Sequence, residues 1–181
     1  SGNQAFDIVS VSDTLKFRAL NDSRTSVYVN AMTIDSAGIV TKPYQPAFST
    51  RPAGTLGPIP SGSWYAVTMG TEQFDVGGNF TGTTFTAPKT GKYILSANVR
   101  FDGVDNGSAY YQVKTSTSNG GYTSTIDPDT FSGDPSYWNI NQTVLADMDA
   151  GDIAKVEVLQ GSGSVQTYIS TDSRFTGYLV C

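Results

Sequence analysis

Phe74-Asp75-Val76-Gly77-Gly78-Asn79-Phe80 leads through Gly82-Thr83-Thr84-Phe85 into Gly91-Lys92-Tyr93-Ile94-Leu95-Ser96-Ala97. Aromatics, an amide and glycine turns precede an alternating run. Tyr93, Leu95 and Ala97 fall on one face of a strand, because successive side chains of a strand point to opposite sides. One packed face per strand is the mark of a sheet laid on a partner sheet. The aromatics Phe74, Phe80, Phe85 and Tyr93 are expected to fill the space between the sheets. Gly91 is expected at a turn that a side chain would crowd.

Working outward from this stretch, strand-like segments recur between turn residues at the roughly 8–12-residue spacing of an all-β chain. Before it come Phe6–Val11, Leu15–Arg18, Val27–Val29 and Met32–Ile34, separated by a Ser-Asp turn, by Asn21-Asp22-Ser23 and, after Ile34, by Asp35-Ser36-Ala37-Gly38. After it the longest run, Tyr93–Phe101, is expected to be central. Asp105-Asn106-Gly107-Ser108 reads as a tight turn with positive φ at Asn106 and Gly107, and Ser118-Asn119-Gly120-Gly121 as a hairpin. Ala109–Thr115, Tyr122–Ile126, Trp138–Ala146, Ile153–Leu159, Val165–Ser170 and Phe175–Val180 complete the set. Gly177 inside the last strand is expected to mark a bulge or a close approach of another backbone. No segment repeats its apolar residues at helical spacing. The expected architecture is all-β, a two-sheet jelly-roll sandwich preceded by a short β-stranded stalk.

Residues 43–63 carry Pro43, Pro46, Pro52, Gly54, Gly57, Pro58, Pro60 and Gly62. Proline fixes φ and removes a ladder donor, so this stretch is expected to be a crossing segment with one short edge strand at Ala47–Ser49. It divides the chain into a stalk, 1–42, and a head, 43–181. Each stalk strand has only two or three apolar residues. That is too little burial to offset the roughly 1–2 kcal/mol per residue of backbone ordering, so the stalk is expected to be stabilised by other copies.

Composition narrows the function. The 181 residues hold 11 Lys and Arg against 16 Asp and Glu, no His and one Cys, Cys181. A net charge of -5 without any basic run argues against a nucleic-acid partner. No apolar run approaches the roughly 20 residues of a membrane-spanning helix, and no charged and apolar leader opens the sequence. Without His, Ser-His-Asp and Cys-His catalysis is excluded. The carboxylate groups Asp127/Asp129, Asp147/Asp149/Asp152 and Asp102/Asp105 sit in turns, where Asp is ordinary because it bonds its own backbone. No enzyme activity is expected.

Three motifs in order carry a resemblance. Phe85-Thr86-Ala87-Pro88-Lys89-Thr90-Gly91-Lys92-Tyr93 resembles the phenylalanine, five-residue gap, glycine, any residue, tyrosine of C1q/TNF-like jelly-roll domains. Gly151-Asp152 ahead of Ile153-Ala154-Lys155-Val156 resembles that family's Gly-Asp before its penultimate strand, and Phe175-Thr176-Gly177-Tyr178-Leu179 its closing strand. The resemblance spans about 44–181. It departs where Ala97 replaces an aromatic and where Asn79, Phe80 and Phe85 are closely spaced. Ahead of it, Met32-Thr33-Ile34-Asp35-Ser36-Ala37-Gly38-Ile39-Val40 and Pro43-Tyr44-Gln45-Pro46-Ala47-Phe48 resemble a repeat unit of phage tail-fibre shafts and its join to a terminal domain in marine phage proteins.

The resemblance implies a homotrimer packed about a three-fold axis through apolar and aromatic faces. It implies a non-enzymatic virion protein on the exterior of the particle, a fibre head or receptor-binding domain for host attachment. Its partners would be itself, a host-surface glycan or protein, and other virion proteins through the stalk. A capsid decoration or head-fibre protein and a bacterial surface or secreted C1q-like adhesin are the alternatives. No cofactor is required. The resemblance places calcium, a hard cation that takes oxygen ligands, near Asp102 and Asp105. The loop Asp127–Asn139 combines Phe131, Tyr137 and Trp138 with Asp129 and Asp134. Aromatic faces for sugar C–H groups beside carboxylates for hydroxyls suit a glycan, so these five residues are the candidate ligand site; the alternative for Trp138 is a core residue that starts a strand.

Overall fold

The computed structural model describes residues 5–21 and 23–181, and the backbone alone at Tyr28. Asp22, in the expected Asn21-Asp22-Ser23 turn, lies outside the described residues. The chain divides into two units, Ser1–Gln45 and Pro46–Cys181.

The first unit is one antiparallel meander in the order β1 (Ala5–Val11), β2 (Thr14–Leu20), β3 (Val27–Ile34), β4 (Val40–Thr41). Ser12 and Asp13 both take left-handed φ, 48° and 57°, and close the β1–β2 hairpin in two residues. Such positive φ matches the twist of the strands a tight hairpin joins. Val27–Val29 and Met32–Ile34, expected as separate strands, are one strand. Asn30 and Ala31 carry no turn signal, and the break in apolar pattern there is a register shift against β2 rather than a chain reversal.

The second unit is a sandwich of two six-stranded sheets. One sheet has the order β13 (Tyr137–Met148), β10 (Gly91–Asp102), β16 (Arg174–Leu179), β5 (Ala47–Arg51), β7 (Thr71–Val76), with β15 (Tyr168–Ile169) on β10. The other has β12 (Gly120–Ile126), β11 (Tyr111–Thr117), β14 (Ile153–Gln160), β9 (Thr84–Thr86), β8 (Phe80–Thr81), with β6 (Tyr65–Ala66) on β14. The strand pairs β9/β10, β10/β11, β12/β13 and β13/β14 each cross between sheets. This crossing pattern is a jelly roll.

Inward side chains of both sheets make one core. Phe48 lies 4.6 Å from Phe85, 5.1 Å from Phe80 and 5.1 Å from Phe175, centroid to centroid. Phe85 meets Tyr93 edge-on at 5.5 Å, and Tyr93 donates its hydroxyl to the Lys89 carbonyl at 2.7 Å. Leu95, Ala97, Val99 and Phe101 continue the inward face of β10. The opening stretch is therefore largely core, with one exception. Phe74 pairs with Ser49 on the outward side of its sheet and is 52% exposed.

Several local expectations are corrected by the sheet order. Ala47–Arg51 is an interior strand between β16 and β7, not an edge. Its flanking prolines, Pro46 and Pro52, stand just outside the ladder and leave its donors intact. Trp64–Met69 contributes only Tyr65–Ala66. Asp105–Ser108 does not close a hairpin, because β10 and β11 belong to opposite sheets; the left-handed residue there is Gly103, φ 68°. Gly91 is not in a turn but starts β10, where a Cβ would stand 2.3 Å from the Cys181 carbonyl oxygen. Gly177 causes no bulge, since β16 keeps register with β10 throughout. The space above it is filled by the Phe48 and Leu95 side chains, at 2.7 and 2.8 Å from where a Cβ would stand.

Candidate functional site

A loop cluster and the outward face of the β13-β10-β16-β5-β7 sheet carry exposed aromatic or apolar side chains beside polar groups.

The loop cluster joins segments far apart in sequence through two aspartates. Asp105 is buried. One carboxylate oxygen accepts from the Gly107 amide at 2.9 Å and the other from the Ser164 amide. The Asp105 amide in turn donates to the Tyr111 hydroxyl at 3.0 Å, which bonds Thr167 at 2.7 Å. Asp134 accepts from the Asn106 amide at 3.0 Å and from Gln166 Nε2 at 2.9 Å. Those bonds, the Asn106 amide first, hold its carboxyl below the ordinary Asp value. Asp105 and Asp134 thus tie residues 103–109, 127–136 and 162–167 together.

The tied loops border a polar cleft of about 340 Å3 lined by Asn106, Gly107, Ser108, Ala109, Asp127 and Asp129. Asp127 caps the short 3-10 turn Pro128–Thr130 by accepting from the Asp129 amide at 3.1 Å. Pro128, at the first position of that turn, needs no donor there. Asn106 Nδ2 donates to the Phe131 carbonyl at 3.4 Å and fixes the loop beyond the turn.

Phe131 packs on Trp138 at 4.9 Å with the rings inclined by 57°, and Trp138 stays 38% exposed. Tyr137 is 63% exposed and faces the other way. Adjacent residues of β13 project to opposite sides of the sheet. Tyr137 therefore joins the outward face, where the Arg100 guanidinium lies 4.8 Å from its ring centre. Of the five residues expected to form a glycan site, the fold brings Phe131 and Trp138 together, puts Asp129 in the cleft, engages Asp134 in loop closure and sends Tyr137 to another surface. Asn106 and Asp127 line the cleft without having been singled out as ligand residues; the Asp-Pro that opens the turn was the available signal for Asp127.

The two aspartates expected near calcium have separate partners. Asp102 accepts from Arg100 Nε at 2.7 Å, and Arg100 also bonds Asp172 at 2.7 Å. Asp105 has both oxygens on backbone amides, as above. Among the described residues no three His, Cys, Asp or Glu side chains are grouped as metal ligands would be.

The outward sheet face is ordered by register. Leu145, Ile94, Tyr178, Ala47 and Val76 line up across five strands as one apolar row. The next row is Thr143, Ser96, Thr176, Ser49 and Phe74, in which Ser96 bonds Thr143 at 2.9 Å. The third is Asn141, Asn98 and Arg174, with Asn98 donating to Asn141. Leu145 is 59% exposed, and Tyr178 and Phe74 are exposed too. Charge is confined to the margins: Lys92–Asp147 beyond the apolar row at 2.5 Å, and Arg174 with the Arg100 cluster at the other end.

This geometry defines a jelly-roll domain, with a fold like that of C1q and TNF-family domains. The globular domain of zebrafish complement 1qA superimposes with a TM-score of 0.56 at 18% identity, covering 76% of this chain and 98% of that one. Murine APRIL, solved at pH 8.5, superimposes at 0.54 with 12% identity over 75% of this chain and 99% of that one. A further murine APRIL structure, at pH 8.0, gives 0.52 with 17% identity, covering 76% and 99%. The likeness is one of fold. No protein-family model and no curated protein matches the chain.

Proposed function

We propose that this chain is a non-enzymatic, self-associating attachment protein, a homotrimer whose C1q-like head binds a host-surface glycan and whose stalk mounts it on the exterior of a virion as a fibre head. One observation carries the self-association: the apolar Leu145–Ile94–Tyr178–Ala47–Val76 row lies uncovered across a whole sheet face, with charge only at its margins. Exposed continuous apolar surface on a soluble domain marks an interface. The glycan reading is supported by the half-exposed Trp138, braced by Phe131 near the cleft that Asp127 and Asp129 line. The virion reading is supported by the shaft-like phrase Met32–Val40 ahead of a head of this fold.

Sedimentation equilibrium tests the assembly. The wild-type chain is expected at three times its monomer mass at micromolar concentration. Leu145→Lys, which sets a charge on the most exposed side chain of the row, at its β13 end, is expected to sediment as monomer with its melting transition intact. A wild-type monomer throughout the concentration range would end this reading.

A further inference from the structure

The first unit carries a second uncovered apolar surface. Residues paired across an antiparallel ladder share a face. Ile8 faces Phe17, which faces Met32; Phe6 faces Ala19; Leu15 faces Ile34, which faces Val40. These eight side chains, with Ser10 and Val29, form one side of the four-stranded sheet, and none is charged. The ionisable groups Asp7, Lys16 and Arg18 lie on the reverse side, where the Arg18 guanidinium and the Asp7 carboxylate neutralise each other. The apolar side is open at β1, where Phe6 is 72% and Ile8 63% exposed; with Phe17, Ala31 and the Asp7–Arg18 pair they edge a groove of about 290 Å3. Of the described residues of this unit, the buried hydrophobic ones are Ala19 and Leu20. A stable domain needs a second layer over such a face, and this unit contains a single sheet.

We propose that this face is covered by the same face of other copies of the chain, so that the stalk gains a core only in the oligomer. This rests on the self-association proposed for the head and adds a second contact surface to it. Charge selects the occupant. The face offers no charge and, apart from the Ser10 hydroxyl, no side-chain hydrogen bond to a polar partner, and behind it Asp7 and Arg18 are paired with each other. Its complement is another uncharged pleated surface, and the same face of the other copies supplies one when all of them turn toward a common axis. Area explains the coupling to the head. Three strands of about seven residues and the two-residue β4, about 4.8 Å apart, cover roughly 360 Å2, or about 1,100 Å2 summed over three copies. That is below the roughly 1,600 Å2 of a standard stable interface. The stalk face is therefore too small to hold copies together alone, but suffices once the head keeps them at high effective concentration.

The test is hydrogen exchange on the full chain across a dilution series, read together with sedimentation, for the wild type, Ile8→Asp and Leu145→Lys. In the wild-type oligomer the amides of β1–β3 are expected to be protected, and to lose protection about 100-fold on dilution to monomer. Ile8→Asp is expected to remove that protection while β10 and β16 stay protected and the oligomer persists. Leu145→Lys is expected to remove it by dissociation. Equal protection of β1–β3 in monomer and oligomer would overturn the inference, as would an unprotected stalk in an intact oligomer or an Ile8→Asp stalk protected like wild type. If Leu145→Lys stays oligomeric while Ile8→Asp dissociates, the stalk inference stands and the head-face reading fails.

Discussion

Gly177 lies between Leu95 on one neighbouring strand and Phe48 on the other, and both side chains lean into the space a Cβ would occupy. Both are fully buried, so neither can swing away. Gly177→Val is expected to cost about 1–3 kcal/mol by overpacking, measured by denaturant unfolding. Glu157 is a second residue with a readable consequence. Partial burial tends to raise its pKa, but hydrogen bonds from Ser116, Lys114 and Lys155 outweigh this and hold it at about 2, below an ordinary value of 4.5. A depressed folded-state pKa stabilises above the unfolded value and loses that contribution as pH falls through the folded one. Between about pH 4.5 and pH 2 the wild type is expected to lose on the order of 2 kcal/mol that Glu157→Gln does not lose, as followed by urea midpoints at each pH.

At the scale of the element, β13 makes two surfaces out of one strand. Trp138 stands at its start, on the side of the sandwich interior but outside the core cluster, and is held mainly by Phe131. Trp138→Ala is expected to abolish glycan retention on an array while lowering the melting temperature by no more than a few degrees; a loss of more than about 3 kcal/mol, the scale of a buried aromatic, would make it a core residue instead. The alternation that gave β10, β11, β14 and β16 was plain in the sequence, because one side of each packs on the other sheet. What alternation omits is the partner. The turn at Asp105–Ser108 carries the same residues whether it closes a hairpin or crosses to another sheet. The same limit hid the loop cluster: Asp105 and Asp134 show their function only beside Ser164 and Gln166, far along the chain. Tyr137 and Trp138 looked like one platform because sequence adjacency suggests proximity, whereas a strand turns neighbours apart.

For the whole molecule, the two units present the same physical problem at different sizes. The head encloses a continuous aromatic core and leaves one apolar row outside it. The stalk, among its described residues, buries only the apolar side chains of Ala19 and Leu20 and leaves Phe6, Ile8, Leu15 and Val40 exposed. The three C1q/TNF-like motifs made the head's fold legible, because glycines at points of close approach and rings between the sheets are demanded by the packing. The stalk's need for a covering layer was legible from its thin apolar content alone, but which face was open depended on the register.

The position of β16 has a further consequence for biosynthesis. Arg174–Leu179 lies between β10 and β5, so it joins two strands made far earlier. Until that segment has left the ribosome, both neighbours present unpaired edges and Phe175 is missing from the aromatic cluster. The head therefore cannot complete this sheet before Arg174–Leu179 has been made, and until then the open edges of β10 and β5 are sites for aggregation. A chain stopped after Ser173 is expected to be insoluble and protease-sensitive throughout the head in a cell-free translation assay, whereas one that includes Arg174–Cys181 becomes resistant.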